Sequence, residues 1–154
     1  MPKINLKVDI RYQWWLFILI TVSLISGLAF FALNNWFEIK GEFGFEKHPA
    51  QFPILKIHGA AAFLMMMTYG FFLGGHARAG WKVKNRPILG IIVAILPLLL
   101  MISGYLLYYI ASDLTREIVV YFHVIIGISL PIILILHIKT AAKKLKKARR
   151  FRHA

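Results

Sequence analysis

Four long apolar stretches alternate with shorter polar ones along the chain. They cover residues 12–33, 54–75, 87–110 and 117–138. Each is about as long as a bilayer core requires, roughly 20 residues in an α-helix. The pattern predicts an all-α fold: a transmembrane four-helix bundle of two antiparallel hairpins, with helices 2 and 4 parallel. A single membrane domain over residues 1–154 fits the length. Trp14 and Trp15 mark one end of the first span and Trp36 the other, with Trp81 an anchor after the second, as an aromatic belt would. Pro87 suits a helix start, because its missing N–H would have no partner there anyway. Pro97 and Pro131 fall inside spans and are expected to kink them.

The polar stretches are unequal. Residues 34–53 form the long connection, with Glu38, Glu42 and Glu46 set among Phe37, Phe43, Phe45 and Phe52. This reads as an amphipathic loop on the headgroups, with a short interfacial helix or a docking surface as alternatives. The connection 111–116 is short, which makes the third and fourth helices antiparallel neighbours. Residues 139–154 read as a basic tail.

Composition agrees with a membrane class: 59% of residues are hydrophobic and 16% charged, outside the range of a soluble domain. No cleavable signal peptide is expected, since the first apolar run follows Arg11 and is too long for one. The absence of cysteine excludes disulfides, iron–sulfur clusters, thiolate catalysis and covalent haem attachment. A net charge of +13 could suggest nucleic acid, but the basic residues gather at span edges. They read as topogenic charge and as attraction to anionic lipid, so no nucleic-acid partner is expected.

Their distribution also predicts orientation. Lys3, Lys7 and Arg11 precede the first span, and Arg78, Lys82, Lys84 and Arg86 follow the second. Eight more lie after the fourth, from Lys139 to Arg152. Four spans put all fifteen on one side, leaving five of the six acids on the other. Both termini are therefore expected to be cytoplasmic.

Histidine is rare within membrane segments and usually functional there. Four of the six histidines bracket two spans: His58 and His76 the second, His123 and His137 the fourth. Both helices are expected to start outside, so His58 and His123 lie near the outer face and His76 and His137 near the inner one. Eighteen residues make five whole α-helical turns, and fourteen fall about 40° short of four turns. Each helix can therefore show both histidines to one partner. The axial rises, about 27 Å and about 21 Å, differ by about 6 Å and require a tilt, a kink or a frayed end. His48 and His153 lie outside the spans and carry no such expectation.

Two facing imidazoles suit a haem iron with both axial positions filled, which favours electron transfer over oxygen chemistry. Bundles commonly hold such cofactors between facing helices. A flat macrocycle needs small neighbours, which Gly59, Ala62, Gly127, Gly27 and Gly104 could supply. Met65, Phe72, Leu130 and Leu134 would fill the layer between two rings. Lys56 and Arg116 outside, and Arg78 and Lys139 inside, are candidates for pairing haem propionates.

The chain also echoes itself. Leu24, Ile25, Ser26, Gly27 and Leu28 in the first span match Met101, Ile102, Ser103, Gly104 and Tyr105 in the third. Each is followed by a helix with histidines at both ends. Two related hairpins are one explanation; plain small-residue helix contacts are the other.

The spacing of His123 and His137 on the last of four spans, with His58 on the second, resembles the bacterial di-haem membrane cytochromes b. These are the cytochrome b561-like proteins and the cytochrome b subunits of formate dehydrogenase and hydrogenase. The resemblance covers the four-span core. It implies two haems b, with His58 and His123 on the outer one and His137 on the inner one. The family usually takes the other inner ligand from the first span, which has no histidine here, so His76 would substitute. It further implies a multi-pass protein of the bacterial inner membrane. Such a subunit would move electrons between a quinone pool and other redox subunits, or a periplasmic carrier, in a hetero-oligomeric complex. The competing readings are a cofactor-free membrane anchor and a histidine-lined metal-ion transporter. The transporter should carry carboxylates near the midplane, whereas five of the six acids lie outside the spans and Glu117 sits at the very edge of the fourth.

Overall fold

The computed structural model describes residues 8–42, 44–81 and 88–150. The expectations for Lys3, Lys7, Phe43, Lys82, Lys84, Arg86, Pro87, Arg152 and His153 lie outside the described residues. The architecture is all-α, with four helices long and apolar enough to cross a membrane. They fall into two compact units that divide between His76 and Ala77.

The first unit is a helical hairpin. Helix α1 covers Ile10–Trp36 and opens on Asp9, whose carboxylate accepts from Arg11 N at 2.8 Å. That cap satisfies one of the N–H groups a helix start leaves unpaired. At the other end Asn35 Nδ2 donates to the Phe31 carbonyl at 2.7 Å. The connection differs from the expected loop or helix. It forms an antiparallel β-hairpin of β1 (Glu38–Gly41) and β2 (Gly44–Lys47), turning through Gly44 at φ 129°. That dihedral is one only glycine adopts readily. The turn back into helix is tied by His48, whose Nδ1 accepts from Ala50 N at 3.2 Å.

Helix α2 (Gln51–Phe72) returns beside α1. Pro53 lies in its first turn, where no N–H is needed. Contacts from Asn34 to Gln51, from Ser26 to His58 and from Tyr12 to Phe71 step down the pair in opposite sequence directions. The two helices are thus antiparallel. After Phe72 the helix passes through a π-turn, Leu73–Ala77, and on into the short helix α3 (Arg78–Trp81). The glycine pair Gly74–Gly75 sits in that turn. The span is helical through the stretch where fraying was one expectation.

The second unit pairs α4 (Ile88–Tyr109) with α5 (Asp113–Arg150). Its corner is short because both helix ends are capped inside it. Ser112 Oγ accepts from Thr115 N at 3.5 Å, and an Arg116 guanidinium nitrogen donates to the Ile110 carbonyl at 2.8 Å. Ser103 against His123 and Leu100 against Gly127 show that this pair too is antiparallel. Pro97 and Pro131 lie inside helices that continue past them. Helix α5 does not stop at the membrane edge. Residues expected to form a tail continue it to Arg150.

The spans are apolar on their exposed faces as well. Ile18, Ile25, Phe63, Met67, Phe71, Ile102, Ile125 and Ile132 are all exposed. In water such surfaces would be costly; against lipid tails they are the expected solvent contact. The most buried polar side chains are instead Ser23, Ser26, Gln51 and Ser103, all at helix–helix seams.

Candidate functional site

His58 sits half-buried on α2, two helical turns into the span, against the Ser-Gly step of α1. Its Nδ1 is 2.9 Å from the Ser23 carbonyl oxygen and 3.4 Å from Ser26 Oγ. A carbonyl oxygen can only accept, so Nδ1 carries the proton. In a neutral imidazole Nε2 then carries the lone pair. Gly27 makes the close approach possible. A Cβ there would lie 2.9 Å from His58 Cε1 and 3.1 Å from Nδ1, closer than side-chain atoms pack.

His123 has the same setting in the other hairpin. Its Nδ1 is 2.8 Å from Ser103 Oγ. The Ser103 hydroxyl has one proton, and it is spent on the Leu99 carbonyl at 2.7 Å, with Leu100 O at 3.2 Å. With that proton on Leu99, Oγ is an acceptor toward His123, the arrangement in which Nδ1 holds the proton and Nε2 the lone pair. Gly104 stands beside the ring, with its Cβ position 3.4 Å from His123 Cε1.

The two seats repeat each other in detail. Ser26 Oγ donates to Val22 O at 2.6 Å and approaches Ser23 O at 3.2 Å. Ser103, 77 positions on, does the same to Leu99 and Leu100. The likeness between Ser26-Gly27 and Ser103-Gly104 thus extends to hydrogen bonds and to the histidine each step receives. Gly27 and Gly104 lie beside the imidazole of their own hairpin. Ser103, readable from sequence only as a small-residue contact, is the close hydrogen-bonding partner in the second seat; in the first that partner is the Ser23 carbonyl, with Ser26 farther off. The signal in the sequence was the recurrence of Ser-Gly one helix before His58 and before His123.

His48 provides the contrast. Its Nδ1 accepts from a backbone N–H, which puts its proton on Nε2, and it serves the turn before α2.

His76 and His137 are placed differently. His76 lies in the π-turn, half-buried, with its ring edge-on to Phe72 at 6.5 Å between centroids. A π-turn holds more residues than an α-turn, so it shifts the phase of the residues after it by up to about one residue step, about 100°. Five uninterrupted α-turns therefore do not connect His58 to His76. His137 is half-buried on α5, fourteen residues beyond His123, on unbroken helix.

The candidate flanking residues are exposed where they are charged. Lys56 Nζ sits 4.4 Å above the Phe52 ring, Arg116 binds Ile110 O, and Arg78 and Lys139 are exposed beyond His76 and His137. A Cβ on Gly59 would meet nothing within 4 Å, and one on Gly127 would touch only Leu100, at 3.9 Å. Both leave open space beside α2 and α5. Among the described residues, no group of three or more His, Cys, Asp or Glu gathers to hold a metal ion. An iron already held by a macrocycle asks for only two protein ligands.

No family model, no curated protein and no solved structure matches this chain.

Proposed function

We propose that the chain is a b-type di-haem cytochrome that carries single electrons through the bilayer. His58 and His123 are its outer axial ligands, and His76 and His137 its inner ones. The observation that supports this most is the fixed tautomer of the two outer histidines. Metal-bound histidines characteristically donate their other ring N–H to a carbonyl, carboxylate or similar acceptor, which fixes ring orientation and strengthens the ligating nitrogen. Both outer imidazoles have that arrangement, His58 toward the Ser23 carbonyl one turn before Ser26-Gly27 and His123 toward the hydroxyl of Ser103 in Ser103-Gly104.

The residues fit a haem in other respects. The donor set is imidazole, which iron accepts well, in a chain with no cysteine and with no carboxylate inside the spans beyond Glu117 at the edge of the fourth. Gly59 and Gly127 leave room for a planar group, and cationic side chains stand at both ends for propionates. Bound haem iron would supply the one-electron chemistry. The chain's part is to orient the rings, exclude water with apolar side chains and bridge the bilayer. Quinone and partner redox subunits follow from the resemblance to bacterial membrane cytochromes b. The inner-membrane setting and cytoplasmic termini are part of the same reading.

An absorption spectrum of the purified, dithionite-reduced protein tests it. Sharp low-spin haem bands and a haem-to-protein ratio of about two are expected. His58→Ala and His123→Ala should each remove the same haem and spare the other. A colourless preparation from haem-supplied cells overturns the reading.

A further inference from the structure

The two seats differ in one atom. His58 donates to a main-chain carbonyl, which no side-chain substitution deletes. His123 donates to the hydroxyl of Ser103. We propose that Ser103 is a positioning residue, which fixes the tautomer of His123 and makes Nε2 its ligating nitrogen, whereas Ser26 has no such hold over His58.

Four observations support this. Ser103 is among the most buried polar residues, so water does not readily replace its hydroxyl. Its proton is committed to Leu99, which leaves only lone pairs for His123. At 2.8 Å the bond to His123 is of full strength, whereas Ser26 stands off at 3.4 Å behind the closer Ser23 carbonyl. Finally, a carbonyl is the stronger acceptor of the two. The two acceptors thus differ in kind, so a chain-repeated seat yields two unlike ligands.

The inference rests on the cytochrome reading only for its effect on haem; the tautomer itself can be read without haem. The full chain, labelled with 15N-histidine and reconstituted haem-free in lipid nanodiscs, reports which ring nitrogen is protonated. The unaltered chain should show His58 and His123 protonated at Nδ1. Ser103→Ala should convert His123 to a mixture with Nε2 protonated and leave His58 unchanged. Ser26→Ala should leave both unchanged. In haem-loaded protein, Ser103→Ala should weaken the affinity of one haem by about 10-fold and raise its midpoint potential, with the other haem unmoved. If His58 signals show that Ser103→Ala has disturbed the hairpins generally, Ser103→Cys takes its place: it fills the same site with a weak acceptor, and the same mixture is expected. His123 remaining wholly Nδ1-protonated in a folded variant overturns the proposal, as does an equal effect of Ser26→Ala on His58. A tautomer shift as expected in a chain that never takes up haem leaves Ser103 in its role and removes the cytochrome reading instead.

Discussion

The Nδ1 atom of His58 lies 2.9 Å from the carbonyl oxygen of Ser23, a main-chain group on the neighbouring antiparallel helix. The bond is possible because residue 27 has no side chain. Gly27→Ala would place a Cβ 2.9 Å from the imidazole and displace the ring. Gly104→Ala would place one at 3.4 Å, an ordinary contact. The first is expected to cost about 1–3 kcal/mol by overpacking. The second should be near neutral, offset by the gain of about 1 kcal/mol when alanine replaces glycine within a helix. Thermal unfolding of both variants in one detergent, with the haem-to-protein ratio measured alongside, checks the asymmetry. Equal effects would refute it.

A separate expectation concerns the inner histidines. His137 lies on unbroken α5, and His76 in a π-turn. On the di-haem reading, His137→Ala and His76→Ala should each lower the haem-to-protein ratio from about two to about one. The haem that survives should be the one lost in His58→Ala. If His76→Ala retains both haems, the second inner ligand comes from elsewhere.

Gln51 and Asn34 join the two ends of the first hairpin at 2.7 Å, and Lys47 Nζ also reaches Asn34 Oδ1 at 3.3 Å. Gln51 Oε1 is buried with no hydrogen-bond partner among the described residues. Asn34→Leu alone would leave the other end of the Gln51 amide unmatched as well, at about 1–3 kcal/mol. Replacing both residues by leucine should cost much less, since no buried amide then remains. A double-mutant cycle by chemical unfolding measures the coupling.

Orientation can be tested cleanly because the chain has no cysteine of its own. Single cysteines at Phe45 and at Lys143 should label from opposite sides with a membrane-impermeant maleimide. Lys143→Cys should react in inverted vesicles and Phe45→Cys in right-side-out ones. Labelling of both from one side would remove the even-span topology.

Much of this architecture was legible in the apolar pattern. Four runs of bilayer length, joined by polar links that add no further span, leave little choice but antiparallel hairpins. The ends of the helices were less visible. Residues beyond Lys139 read as a tail by charge. Ala141, Ala142 and the lysines among them are nonetheless strong helix formers, and α5 continues through them. The β-hairpin was hidden because Glu38–Gly41 and Gly44–Lys47 mix charge and aromatic residues with no clean alternation. The π-turn was hidden because Gly74 and Gly75 signal weakness in a helix without saying how it will yield. The candidate site was half legible. The histidines stood out by chemistry, but their hydrogen bonds depend on register between two helices. His58 follows Ser26 by 32 positions and His123 follows Ser103 by 20. Only the folded connections, one long and one short, bring the same atoms together.

Helix α5 runs without a break from Asp113 to Arg150, about 57 Å at the rise of an α-helix. A bilayer core takes up only about 30 Å of that. His123, His137 and Lys143 therefore belong to one stiff rod that protrudes beyond the membrane. The helix is thus one mechanical unit: a load on its polar end is carried along the backbone to the positions of His137 and His123.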